Sequence, residues 1–156
     1  MSNKGFFRTY SLYLAWVVSI VATCGSLYLS EVMLFEPCRL CWFQRIFMYP
    51  QVILLGIASY KDDRNIISYV LPLSILGGCI SIYHYLEQMV PSFAKVAPCS
   101  VGVPCNVDYL DWFGFITIPL LALIAFVMII ALLLVGRVKE EDEEIDLEEE
   151  HIHEGM

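Results

Sequence analysis

Pro37-Cys38-Arg39-Leu40-Cys41-Trp42-Phe43-Gln44-Arg45 sets two cysteines three apart where a polar loop runs into an apolar segment. A Cys-x-x-Cys pair can close a small-ring disulfide, and the thiolate released when the ring opens is stabilised by a helix N-terminus or a nearby cation. Arg45 is the candidate cation. It lies four residues after Cys41, so on a helix starting at Cys41 the two side chains share a face, about 6 Å apart along the axis. A guanidinium costs roughly 2.5–3.5 kcal/mol at a bilayer centre and less near the end of a span, so its presence here asks for a reason. Taken alone, the pair is as readily a structural disulfide or half of a metal site, and its surroundings have to decide.

Working outward, the 156-residue chain is 58% hydrophobic and only 17% charged, which excludes an ordinary soluble domain. The formal charge of −8 is local: residues 137–156 hold 10 acidic and 2 basic side chains, whereas residues 1–136 hold 7 of each. No basic patch exists to neutralise phosphates, so nucleic-acid binding has no support. No Gly-rich phosphate loop, Ser-His-Asp set or HExxH motif occurs either.

Four apolar runs are each long enough to cross a hydrocarbon core of about 30 Å. They cover about 10–30, 41–60, 66–86 and 113–136, with connections at 31–40 and 87–112 and a tight polar turn, Lys61-Asp62-Asp63-Arg64-Asn65. The first run follows a short basic segment, as a signal peptide would, but it is longer than a signal-peptide core and is read as a span. Pro50 and Pro72 fall inside spans, where neighbouring helices can satisfy the freed carbonyls. Gly77 and Gly78 suit close helix packing, and Cys24 and Cys79 are read as small apolar residues on helix faces. Residues 137–156 read as an acidic, disordered tail, with His151 and His153 assigned no role.

The expected fold is therefore an all-α integral membrane protein, a four-transmembrane-helix bundle formed by residues 1–136. Basic residues Lys4, Arg8, Lys61, Arg64, Arg137 and Lys139 lie on the face shared by the chain ends, against Arg39, Arg45 and Lys95 on the other. That bias puts both termini in the cytoplasm. The Cys38/Cys41 pair and a second pair in Pro98-Cys99-Ser100-Val101-Gly102-Val103-Pro104-Cys105 then face outward, where disulfides persist.

Two dithiol pairs on one face, one abutting a span that carries a cation, suggest a relay by thiol-disulfide exchange. A lipid-soluble two-electron acceptor could reach Cys41 at the hydrocarbon boundary. His84, near the outer end of the third span, is either an interfacial histidine bonded to a carbonyl or a hydrogen-bond donor and proton carrier for that acceptor. Gln44 is most simply a bond to a neighbouring helix.

Four spans, Cys-x-x-Cys-x-x-x-Arg at the head of the second, and a cysteine pair between the third and fourth resemble the DsbB family of quinone-dependent disulfide-generating membrane proteins. The likeness covers about residues 10–136 and is nearest to the short Gram-positive branch, the BdbC type. It implies a bacterial cell-membrane oxidoreductase that reoxidises an extracytoplasmic DsbA/BdbD-like thioredoxin-fold thiol oxidase. Electrons would pass to a membrane quinone, menaquinone rather than ubiquinone in a Gram-positive organism, supporting disulfide formation in exported proteins. It further implies Cys38–Cys41 and Cys99–Cys105 disulfides. Cys99 would meet the partner, Cys105 would pair transiently with Cys38, and Cys41 would be the thiolate facing the quinone, with Arg45 and His84 as quinone-binding residues. The five residues between Cys99 and Cys105 make a much shorter loop than in proteobacterial members, which bears directly on how Cys105 reaches Cys38.

Two other readings stand beside it. One is a vitamin K epoxide reductase-like quinone reductase, in which the active pair lies toward the last helices. The other is a non-catalytic scaffold stapled by two disulfides, which accounts for the cysteines but not for Arg45. A zinc site of four thiolates is disfavoured by the outward location and the long second spacing, and no metal is expected.

Overall fold

A computed structural model describes residues 3–90 and 117–154, with side chains described over 10–90 and 117–137. Four helices account for nearly all of it: α1 Asn3–Leu27, α2 Arg39–Lys61, α3 Ile67–Met89 and α4 Ile118–Glu154. The segments long and apolar enough to cross a membrane are Tyr10–Val32, Arg39–Lys61, Arg64–Met89 and Ile118–Arg137. The four-span bundle expected from hydropathy is thus what forms, and a 23-residue helix is about 35 Å long, enough for the hydrocarbon core.

Around the bundle, α1 packs on α2 and α4, and α3 packs on α2 and α4, while the α2/α4 diagonal makes little contact. The outward faces are apolar, with Val21, Ile53 and Tyr69 exposed, and Gln44, Gln51, Ser74, Ser81 and His84 are buried inside. That is the arrangement lipid demands, because side-chain polar groups in hydrocarbon must find partners within the protein. Cys24 and Cys79 are exposed on helix faces, in keeping with their reading as small apolar residues.

Two polar pairs set how α2 lies against α3. Gln44 Nε2 donates to Ser81 Oγ at 3.1 Å, and Ser74 Oγ donates to Gln51 Oε1 at 3.1 Å. Seven residues forward along α2 match seven residues back along α3, two turns on each antiparallel helix. Ser81 also donates to Gly77 O, so its hydroxyl is held twice, whereas the single Ser74 proton is shared between Gln51 Oε1 and Val70 O. Beside Pro50, Gln51 Nε2 donates to Phe47 O at 3.0 Å, a side-chain bond in the stretch that the proline disturbs.

The main apolar core fills one half of the bundle, and a smaller cluster of Leu40, Ile80 and Tyr83 packs beside Cys38 at the other end. Leu12 and Ala15 of α1, Leu55 and Ala58 of α2, Ile67 and Val70 of α3, and Ile129 and Leu133 of α4 cluster near the α2–α3 turn. That turn is closed by Asp62 in the left-handed conformation (φ 51°) and by Asp63 Oδ1, which accepts from Asn65 N. Arg64 is bound there too, donating to Gly136 O at 3.4 Å.

Element ends differ from the sequence reading in four places. α1 runs on through a π-helical turn at Tyr28–Val32. α2 starts at Arg39 rather than Cys41, because Cys38 serves as its N-cap. α3 continues to Met89, which puts Glu87 inside the helix. α4 begins at Ile118 and continues to Glu154, so the backbone of the acidic segment is helical where composition suggested disorder. A span already supplies the nucleus, and adding Glu-rich residues to an existing helix costs only propagation. Cys99, Cys105 and most of the 87–112 connection lie outside the described residues.

At Gly77 an added Cβ would collide with Cζ and Cε1 of the fully buried Phe126, whereas at Gly78 it would meet Phe126 Cβ at an ordinary 3.7 Å. Gly77→Ala is expected to destabilise the bundle by about 1–3 kcal/mol through overpacking. Gly78→Ala should change stability by less than about 0.5 kcal/mol. Denaturation of the purified variants in one detergent compares the two.

Candidate active site

Where the core stops, a cavity of about 470 Å³ opens between α1, α2 and the start of α4, lined in large part by aliphatic side chains. Its polar end is made by Cys38, Cys41, Gln44, Arg45, His84 and Thr117.

Cys38 is placed there by backbone geometry. It is extended (φ −68°, ψ 174°) at the N-cap of α2; its Sγ accepts from Cys41 N at 3.4 Å and its carbonyl accepts from Trp42 N at 3.1 Å. A sulfur thus replaces the usual Ser or Asp oxygen at a position where unpaired N–H groups and the helix dipole favour negative charge. Cys41 Sγ lies 3.3 Å from Cys38 Sγ. The two sulfurs are in contact but farther apart than the ~2.05 Å of a disulfide bond, which is the geometry of the reduced pair.

The register of α2 on α3 carries His84 to this pair, with Nε2 3.6 Å from Cys38 Sγ. Both residues are buried, Cys38 5% and His84 1% exposed. In the reduced pair the Cys41 thiol donating to Cys38, together with His84 and the Cys41 N–H, outweighs desolvation and draws the Cys38 thiol down to about 4. The first negative charge on the reduced dithiol therefore sits on Cys38.

Arg45 occupies the cavity wall with Cys41, as the four-residue spacing predicts, but its hydrogen bond goes elsewhere. Nη2 donates to Ser26 O of α1 at 3.2 Å, and the guanidinium lies over the Trp42 ring, 5.6 Å from its centroid. The indole shields one face of the charge, which lowers the cost of keeping it in the membrane. Tyr49, four residues on, donates to Ser26 Oγ at 3.4 Å. One α2 face thereby clasps the end of α1. Gln44 bonds the neighbouring helix, as its residue type suggested.

Residues the sequence reading missed are Ser26, Tyr49 and Thr117. Thr117 could have been found, since a Thr just before Ile118-Pro119 marks a helix start. It is 2% exposed and its Oγ1 has no partner. Ser26 gives no signal, because only the packing of α1 brings it to Arg45.

Comparison with known proteins gives the family. The family profile "Disulfide bond formation protein DsbB" matches residues 8–136. The chain belongs to the DsbB family. It is 58% identical to disulfide bond formation protein C of Bacillus subtilis, over 79% of this chain and 89% of that one. It is 56% identical to the probable disulfide formation protein C 1 of Bacillus anthracis, over 78% and 88%. Against the probable disulfide formation protein of Coxiella burnetii (strain CbuK_Q154) the identity is 50%, over 76% and 81%. No solved structure matches the chain significantly. As a DsbB-family protein it is a multi-pass membrane oxidoreductase of disulfide formation, a class that works with a thiol oxidase partner. The scaffold and vitamin K epoxide reductase-like readings are set aside by that membership.

With its pKa lowered, Cys38 of the reduced protein is a thiolate above about pH 4 and protonated below it. Alkylation of Cys38 by a small neutral iodoacetamide is expected to have a rate already at its plateau by pH 6, rather than rising through the ordinary thiol range near 8.5. Cys41→Ala, which removes the thiol donor, should move the inflection upward, as read by mass spectrometry of the quenched protein.

Proposed function

We propose that this protein oxidises an extracytoplasmic thioredoxin-fold dithiol partner and delivers the electrons to a membrane quinone bound in the cavity. The observation that carries the reading is a largely apolar cavity of about 470 Å³ whose polar end combines a dithiol, a guanidinium and an imidazole. Its size falls in the range of small-molecule sites, roughly 300–1,000 Å³. The donor set fits an acceptor with two carbonyl oxygens. Thr117 Oγ1 is a buried hydroxyl without a partner on the wall, and Arg45 and His84 supply charged or polar N–H groups beside the sulfurs. A quinone held there would supply a sink for two electrons and two protons.

The chain's own residues would do the rest. Cys99 forms the mixed disulfide with the partner, and Cys105 is released as a thiol. The Cys105 thiolate attacks Cys38 Sγ; a Cys38–Cys105 bond forms, the Cys38–Cys41 bond breaks, and Cys41 leaves with the electron pair as a thiolate. In that state Cys38 no longer competes for negative charge, so the charge that rests on Cys38 in the free dithiol passes to Cys41, on the cavity wall with Arg45. His84, 3.6 Å from Cys38 Sγ, is placed to hold the proton that the dithiol gives up. Arg45 keeps the electron-rich end of the site electropositive while Trp42 screens it from lipid. The basic residues on the face of the chain ends support a bacterial cell-membrane topology with cytoplasmic termini and outward cysteines. The identity of the quinone as menaquinone belongs to the same proposal.

Anaerobic mixing of the purified protein with a reduced thioredoxin-fold oxidase and a menaquinone analogue should produce quinol in step with partner oxidation. Arg45→Ala and His84→Ala should each lower that turnover by roughly 100-fold or more while the protein stays folded. Partner oxidation without quinol, or unchanged turnover in Arg45→Ala, would overturn the assignment.

A further inference from the structure

The reduced site has the donor set of a metal centre. Cys38 Sγ, Cys41 Sγ and His84 Nε2 lie within 4.8 Å of one another, the first two 3.3 Å apart and Cys38 and His84 3.6 Å apart. Tetrahedral zinc with ordinary Zn–S and Zn–N bonds needs sulfurs about 3.8 Å apart and a sulfur-to-nitrogen distance of about 3.5 Å. The Cys38–His84 distance already fits, the sulfurs have to part by about half an ångström, and Cys41 and His84, within 4.8 Å, have to close by up to about 1 Å, movements of the size that side-chain rotation supplies. All three residues line the cavity, which leaves the fourth coordination position open to a water.

Charge favours the same occupant. Two thiolates and one Zn²⁺ make a neutral unit, the form least penalised at a hydrocarbon boundary. A second feature points the same way. Glu87, one turn beyond His84 on α3, is 3% exposed with Oε2 unpartnered, and it interacts electrostatically with both His84 and Cys38. A buried acidic side chain in that position, when ionised, adds to the field that attracts a cation. The four-thiolate site weighed from sequence would have joined both cysteine pairs; the packing of α3 instead supplies an imidazole to one pair.

The geometry points to a zinc-binding site made by Cys38, Cys41 and His84 that exists only in the reduced protein. Cys38 is already a thiolate at neutral pH, so binding displaces the Cys41 proton to the solvent, and no electron moves. The sulfur lone pairs that would form the disulfide are then committed to the metal. Zinc therefore holds the pair reduced and takes the protein out of turnover, an off-state independent of which acceptor the cavity serves.

The test uses the full chain in detergent, carrying Cys99→Ser, Cys105→Ser, His151→Ala and His153→Ala to remove other ligands. Zn²⁺ is titrated anaerobically in competition with a chromophoric chelator, and Co²⁺ is used as a spectroscopic probe. The reduced protein should bind one Zn²⁺, and its Co²⁺ form should show a thiolate-to-metal charge-transfer band. Oxidation to the Cys38–Cys41 disulfide should abolish both, and His84→Ala should weaken Zn²⁺ binding by at least about tenfold. Cys24→Ser and Cys79→Ser should leave it unchanged. Absence of stoichiometric binding, equal binding by the oxidised protein, or undiminished binding by His84→Ala would each overturn the proposal. Because the readout is metal occupancy and not quinone turnover, its failure is separate from failure of the functional reading.

Discussion

Two side-chain hydrogen bonds between α2 and α3, Gln44 to Ser81 and Ser74 to Gln51, set the register that brings His84 to the Cys38/Cys41 pair. Apolar helices in lipid slide and rotate against one another at little cost, because lipid tails are as apolar as the side chains they replace. A buried Gln cannot, since any other register strands its amide. Each such bond averages only about 0.6 kcal/mol in membrane proteins, so their contribution is specificity more than stability. Continuing the same register brings His84 to Cys38, and the imidazole meets the thiol without either residue needing a strong contact of its own.

The bundle is divided lengthwise in purpose. Near the α2–α3 turn, Leu55, Val70, Ile129 and Leu133 fill the interior, and Gly77 lets Phe126 lie flat against α3. Toward the cysteines the filling stops and the cavity begins. The packed half anchors the helices so that the hollow half can stay open without collapsing. The clasp of Arg45 and Tyr49 on Ser26 holds α1 at the rim.

How much of this was legible follows from what each signal measures. Hydropathy found four spans because length and apolarity are properties of contiguous residues. The Cys-x-x-Cys with Arg45 one turn on was visible for the same reason, and it led to the right family. Contacts between helices were not. That Arg45 would bond Ser26, that Thr117 would join the wall, and that His84 would face Cys38 all depend on packing across gaps of 19 to 46 residues. The start of α2 was misplaced by treating Cys38 as loop, although a sulfur can cap a helix as an oxygen does.

The end of α1 has a mechanical consequence. Its π-helical turn at Tyr28–Val32 ties Met33 N to Tyr28 O and Phe35 N to Leu29 O, and Leu34 sits between them at φ 55°. Only Glu36 and Pro37 then separate this knot from Cys38, itself pinned as a helix cap. Cys38 is thus a stationary terminal with almost no slack on either side. Any sulfur that exchanges with it has to make the whole journey, so in the proposed relay the movement falls to the visiting chain segment and not to Cys38.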